Sequence, residues 1–178
     1  YIDVMAGYSW QHFYNSTTNS YPYSAAYAEK TGEEFYKKGD DYASESYLVS
    51  FFGRLNYTLL NRYLVTFTLR NDGSSRFSPD NRWGLFPSVA LAWKLNEESF
   101  LKNVNAISDL KLRLGYGVTG QQDGIGNYNY LPIYTQSQNG AEASMGNGYI
   151  HTYRPSSYVP DLKWETTTSW NVGFDFGF

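Results

Sequence analysis

The sequence predicts an all-β chain, an antiparallel meander of about six long strands forming part of a large transmembrane β-barrel. Three observations predict it. Apolar and polar residues alternate with period 2 along most of the chain. Several of these runs reach about ten residues or more, where soluble strands centre on about 5–6 and strands crossing a bilayer at a tilt need about 9–11. The connections also alternate between short and long.

Composition narrows the classes. The 178 residues suit one domain-sized unit. There is no cysteine, which excludes a disulfide framework and a thiolate metal site. A net charge of −3 gives no electrostatic argument for nucleic acid. The apolar residues are large, with 18 Tyr, 11 Phe and 5 Trp, and are mixed with polar ones rather than run together. No apolar run is long enough for a membrane helix. The chain opens on "YIDVMAGYSW", without the pattern of a signal peptide. That start is expected of an untargeted protein or of a piece of a longer one.

Taken in order, the first strand spans roughly 1–14 and alternates least cleanly. In the second, Tyr47, Val49, Phe51, Gly53, Leu55, Tyr57 and Leu59 stand against Leu48, Ser50, Phe52, Arg54, Asn56 and Thr58. A turn at Leu60-Asn61-Arg62 leads to the third, where Tyr63, Val65, Phe67 and Leu69 oppose Leu64, Thr66, Thr68 and Arg70. The fourth sets Trp83, Leu85, Pro87, Val89, Leu91 and Trp93 against Arg82, Gly84, Phe86, Ser88, Ala90, Ala92 and Lys94. In the fifth, Leu110, Leu112, Leu114, Tyr116 and Val118 face away from Lys111, Arg113, Gly115, Gly117 and Thr119. The last places Trp170, Val172, Phe174, Phe176 and Phe178 opposite Asn171, Gly173, Asp175 and Gly177.

Antiparallel neighbours put connections 15–45, 72–81 and 120–165 at one end, and 60–62 and 96–109 at the other. A helical turn is expected at "NEESFLKN". Short turns at one end and long loops at the other are the layout of outer-membrane barrels. A structureless loop as long as 120–165 counts against an ordinary soluble domain. Pro87 removes a ladder donor, so a bulge or strand break is expected there. Six strands do not close a barrel with a polar lumen, and an open sheet with an apolar outer face would aggregate alone. The chain is therefore expected to be completed by further polypeptide, with Phe178 a cut end.

The phrases "RNDGSSRF", "NRWGLFPS", "LKLRLGYGVTG" and "LKWETT" occur in this order between 70 and 168. In combination they are specific, and from about 46 onward the chain resembles the barrel of the SusC/RagA-like TonB-dependent outer-membrane transporters. The resemblance implies a barrel of roughly 22 strands with a plugged lumen. It implies import of oligosaccharide or peptide across a Gram-negative outer membrane, driven by TonB through a plug absent from this chain. It also implies a SusD-like surface lipoprotein at the mouth and membrane lipid around the wall, with no cofactor. Two other classes fit the alternation: a soluble, aromatic-rich carbohydrate-binding sandwich, and a passive porin-type barrel.

The remaining motifs carry little chemistry. "GYGVTG" is a literal G-x-G-x-x-G, but "QQDGIGNYNY" follows it instead of a helix, so its glycines are read as small inward residues or the start of a loop. His12 and His151 lie in no nucleophile or metal motif, so no catalytic or metal residue is assigned and the chain is read as a non-enzyme. Glu33-Glu34, Asp40-Asp41 and Glu97-Glu98 are read as solvated loop charges. Asn15 and Asn56 match the glycosylation pattern, which means nothing in a bacterial strand. Arg54, Arg70, Arg82, Lys94, Lys111 and Arg113 share the polar face. They are expected to line the lumen, solvated or paired with acids, in preference to guiding substrate. Trp83, Trp93, Tyr63, Tyr57 and Trp170 suit interfacial girdles. Asp123, Asn127, Tyr128, Tyr130 and Tyr134 are the candidates for contact with ligand or partner, or for packing the loop on itself. The stretch 70–93 is expected to build wall, and specificity to sit in 15–45 and 120–165.

Overall fold

The computed structural model describes residues 1–22, 36–101, 107–137, 141–146 and 148–178, with backbone alone for 19–22 and 36–41. Six long strands form one antiparallel sheet: β1 (Ile2–Pro22), β2 (Tyr36–Leu59), β3 (Tyr63–Ser74), β4 (Trp83–Lys94), β5 (Asp109–Gln121) and β10 (Glu165–Gly177). Each pairs with its neighbours in chain order, as a meander requires. Four short strands lie between β5 and β10: β6 (Tyr134–Gln136), β7 (Glu142–Met145), β8 (Gly148–His151) and β9 (Tyr153–Pro155).

The alternation read from sequence is the alternation of faces. Register pairs Arg54 with Thr68, Thr68 with Ser88, and Ser88 with Gly117, so the polar residues share one side. Leu55, Phe67, Val89 and Tyr116 form a continuous row on the other. No second layer covers the apolar face among the described residues: Trp83 is 50% exposed, Leu85 58% and Val172 71%. A sandwich would bury that face, so the sandwich alternative fails here.

Four expectations need correction. The segment 15–45 is mostly strand, since β1 runs to Pro22 and β2 resumes at Tyr36. Period 2 reports one buried face, and "NSTTNSYP" and "YKKGDDYASES" have little apolar residue to alternate. Pairing with β3 stops at Leu48↔Ser74, so the upper β1–β2 hairpin projects past the rest of the sheet. Similarly, 72–81 begins inside β3, and the turn proper follows Ser74 and includes a 3-10 turn at Pro79–Asn81.

Pro87 makes no bulge. β3 and β4 keep unbroken register through Leu69↔Pro87. The β4–β5 ladder ends at Ser88↔Gly117, one residue short of Pro87, so beyond it a missing donor deprives no β5 partner. The expected helical turn is a 3-10 turn at Leu95–Glu97 with further turns to Leu101, while 102–103 lie outside the described residues. Finally, 120–165 is not structureless. β6 pairs with β9 and β7 with β8, two short ladders nested one inside the other in sequence.

The β2–β3 turn is tight. Leu60 (φ 54°) and Asn61 (φ 55°) are both left-handed, and the Arg62 N–H donates to the Leu59 carbonyl. This is the hairpin geometry that matches strand twist. Asn61 suits it, whereas Leu60 takes it at a steric cost.

Candidate functional site: a groove on the polar face

Above Ser88↔Gly117 the sheet splits. β4 follows β3 up to Trp83, while β5 follows β10 up to Gln121. Aromatic side chains fill the gap. The Phe86 ring lies over Gly84 and Gly120, and a Cβ at Gly84 would sit 2.5 Å from Phe86 Cζ and 2.9 Å from Trp164 Cδ1. Trp164, the residue before β10, packs on Phe77 with ring centroids 5.0 Å apart and edge-on to Phe86 at 5.4 Å. Its Nε1–H donates to the Arg82 carbonyl at 2.9 Å, satisfying the half-buried indole. Among the described residues, Phe77 and Phe86 are the only buried apolar side chains. The four phrases that carry the family resemblance thus meet at one point, contributing Phe77, Phe86, Gly120 and Trp164.

Beside this cluster the split leaves a groove of about 600 Å³, lined by Arg70, Asp72, Phe86, Gln121, Asp123 and Trp164 among others. Arg70 Nε lies 2.7 and 2.8 Å from the two Asp72 carboxylate oxygens, and its Nη2 donates to Ser50 Oγ at 3.1 Å. The Asp72 side chain is only 11% exposed, so the pair holds a fixed orientation at the groove wall. The groove therefore offers a charged pair, side-chain amides and an aromatic edge, a set that hydrogen-bonds and stacks on polar ligands. No cluster of three or more metal-ligating side chains occurs among the described residues.

The long connection crosses the polar face before it leaves the sheet. Arg76 Nη1 donates to the Gln122 carbonyl (3.2 Å), Asn127 Nδ2 to Ser44 Oγ (3.3 Å), and the Glu45 N–H to the Tyr128 hydroxyl (3.2 Å). Beneath it Ser44, Ser46, Ser50 and Ser74 are buried. Of the loop candidates, Asn127 and Tyr128 therefore pack the connection onto β2. Asp123 lines the groove. Tyr130 is half-buried and Tyr134 lies exposed on β6.

The basic residues of the polar face divide. Lys111 and Arg113 both reach Asp175, at 3.5 and 2.7 Å. Arg70 pairs with Asp72. Arg54 Nε donates to Thr68 Oγ1 at 3.3 Å. Lys94 ends β4 opposite Lys111, and Arg82 stands one residue before β4. Gly115 and Gly117 face Asn171, Ser88 and Ser169 as small residues on this side. Gly115, with Ala90, Ala92 and Gly173, leaves a second hollow, of about 460 Å³, lower on the wall.

A different cluster closes the short-turn end. Glu98 Oε1 accepts from the Tyr63 hydroxyl (2.6 Å) and Trp93 Nε1 (3.0 Å), and Oε2 from Arg62 Nη1 (3.0 Å). The residue is 9% exposed, so the reading of Glu97-Glu98 as solvated charges is wrong for Glu98. Three donors converge on it because the turn after β4 folds back beneath the Tyr63–Trp93 pair. The hydrogen bond from Tyr63, then that from Trp93, hold its carboxyl below the ordinary glutamate range, against the opposing effect of burial. Glu33 and Glu34 lie outside the described residues, as do the side chains of Asp40 and Asp41.

Of the expected girdle, Tyr63 and Trp93 stack at this end (6.2 Å, 24°). Trp83 stacks on Phe51 (6.1 Å, 30°) towards the long-loop end. Trp170 packs on Tyr116 at 4.5 Å, in a ladder row midway along β3 and β4. Sequence reading did not bring Trp10, His12 and Tyr47 together at the upper level, where the His12 and Tyr47 rings stack at 4.4 Å above Glu45. It also missed Phe77 and Trp164. A phenylalanine beside a Gly-Ser turn and a tryptophan before a strand carry no periodic signal.

The whole chain, residues 1–178, matches the family model described as TonB dependent receptor-like, beta-barrel. It is 51% identical over 177 residues to the TonB-dependent receptor SusC of Bacteroides thetaiotaomicron, covering 99% of this chain and 18% of that protein. A TonB-dependent receptor of Formosa agariphila is 34% identical over 98% of the chain and 18% of its own length. Among solved structures, the RagAB peptide importer in its open-open state superposes with a TM-score of 0.75 at 26% identity, covering 99% of this chain and 19% of that one. The chain thus spans about a fifth of the proteins it matches.

Proposed function

Because this chain belongs to the TonB-dependent receptor-like β-barrel family, we propose that it forms part of the wall of an outer-membrane importer for oligosaccharide or peptide. Uptake is driven by TonB through a plug supplied by other parts of the protein, and a SusD-like lipoprotein caps the mouth. The reading rests most on one observation. A single sheet carries an open apolar face and an open polar face, with its long connections gathered at one end. That combination suits a wall between lipid and an aqueous lumen. The groove beside Trp164 lies on the lumen side, at the root of two long connections, where an arriving solute passes. Arg70 and Asp72 line it, which supports a substrate-facing role for a stretch expected only to build wall.

The test uses the full-length protein in its own cells. The expected result is an outer-membrane protein with heat-modifiable mobility on gels. Its deletion abolishes growth on one glycan or peptide class, and loss of TonB does the same. Uptake that survives loss of TonB favours the passive porin, and recovery in the soluble fraction ends the reading.

A further inference from the structure

Two adjoining hollows lie on the apolar face. One, of about 400 Å³, is lined by Tyr63, Val65, Leu91, Trp93, Leu112 and Leu114. The other, of about 360 Å³, is lined by Val89, Tyr116, Trp170 and Val172, and shares Leu91 and Leu114 with the first. Together they make one diagonal groove across β3, β4, β5 and β10. Stacked Tyr63 and Trp93 bound one end, and packed Tyr116 and Trp170 the other.

We propose that this groove seats one acyl chain of a phospholipid, with the lipid phosphate at Arg62. The proposal rests on the reading of this face as lipid-facing. The walls are fixed before the lipid arrives, because Glu98 holds the Tyr63 hydroxyl and the Trp93 indole and keeps both rings from turning into the hollow. A void between fixed apolar walls forfeits dispersion contacts, and a flexible hydrocarbon chain restores them. Arg62 adjoins the Tyr63 end, and its guanidinium has five N–H donors, of which one, on Nη1, is used by Glu98. Its side chain remains 35% exposed. Arginine at the rim of an apolar groove is complementary to a phosphate above an acyl chain. The occupant is continuous with the bilayer that the rest of this face meets.

The full-length transporter, extracted in mild detergent, is weighed intact by native mass spectrometry. Leu114→Trp fills the groove where the two hollows join, while Leu85→Trp adds the same bulk to the same face outside it. The expected result is one fewer phospholipid retained per chain in Leu114→Trp and no change in Leu85→Trp. Val172→Phe, at an exposed position, serves if Leu114→Trp does not assemble. Equal lipid counts in all three proteins overturn the proposal. So does a groove variant that loses a second copy of the chain instead of lipid, since the groove is then a contact between barrels. Failure of the lipid-facing reading is seen separately, as loss of heat-modifiable mobility and of outer-membrane fractionation in the wild-type protein.

Discussion

Two aromatic clusters secure opposite ends of this sheet by different physics. At the long-loop end Trp164 is held by packing: its half-buried ring fills a split between strands, against the buried Phe77 and Phe86, and one neutral hydrogen bond satisfies the indole. At the short-turn end the aromatic rings stay on the exposed apolar face, and a carboxylate collects their polar tips with Arg62. The first is an interior made from a gap and the second an ionic clasp on a surface. The difference teaches where each end is vulnerable. Shape governs the upper cluster, and protonation governs the lower.

The largest expected effect is at Trp164. Trp164→Ala removes a half-buried ring packed on Phe77 and Phe86, costing up to about 3 kcal/mol, and frees the root of the 122–164 connection. Limited proteolysis of the full-length protein should cut within that connection many times faster, with the barrel itself intact. Unchanged cleavage would mean that the cluster does not hold the loop.

Gly84→Ala asks the shape question from the other side. A Cβ 2.5 Å from Phe86 Cζ and 2.9 Å from Trp164 Cδ1 must displace both rings, with an overpacking cost of about 1–3 kcal/mol. The thermal midpoint in detergent reads this. A neutral result would show that the wedge has slack.

Tyr128→Phe tests the reach of the upper cluster across the polar face. Loss of the hydroxyl from the Glu45 N–H should cost about 0.5–1.5 kcal/mol. Hydrogen exchange at that amide should quicken while exchange in β4 stays constant.

The smallest effect at neutral pH is expected from Glu98→Gln, which keeps an acceptor oxygen for Tyr63 and Trp93 and loses only the charged acceptor at Arg62. The contrast appears on acidification. Because the folded-state pKa of Glu98 is depressed, its contribution is complete above the ordinary glutamate value and lost as pH falls through the lowered one. Wild-type stability should therefore drop towards the Glu98→Gln variant in acid, as measured by thermal unfolding over a pH series. The Trp164 cluster contains no titratable side chain, and the cleavage assay should show no corresponding step.

Most of the wall was legible in the sequence, and little of the site was. Strand existence and facing followed from period 2, because residues such as Val65, Leu91 and Leu114 alternate with Thr66, Ala90 and Arg113 wherever one face is apolar. The projecting ends of β1 and β2 were not legible. Their pairing depends on backbone and neighbours, and polar segments wet on both faces leave no pattern. Phe77, Phe86 and Trp164 come from three separate segments, so their meeting is a property of the tertiary fold. Pro87 misled because the rule concerns ladder donors, and the ladder that matters ends at the next residue. Glu98 was misread because adjacency to Glu97 described the chain and not the turn that carries it beneath Trp93. The resemblance carried by "RNDGSSRF" and its companion phrases did point to the right segments, though not to the reason they belong together.

The split above Ser88 also bears on how such a wall carries load. Seven residue pairs join β4 to β5, against eleven for β3–β4, twelve for β2–β3 and thirteen for β5–β10. A hoop under radial stress yields first at the joint with fewest fastenings, so this seam is the compliant one in its stretch of the circumference. Trp164 sits in it as a shim, setting how far the two leaves stand apart, and it belongs to the segment that emerges above the seam. Tension on that segment would therefore be felt directly in the girth of the wall beneath it.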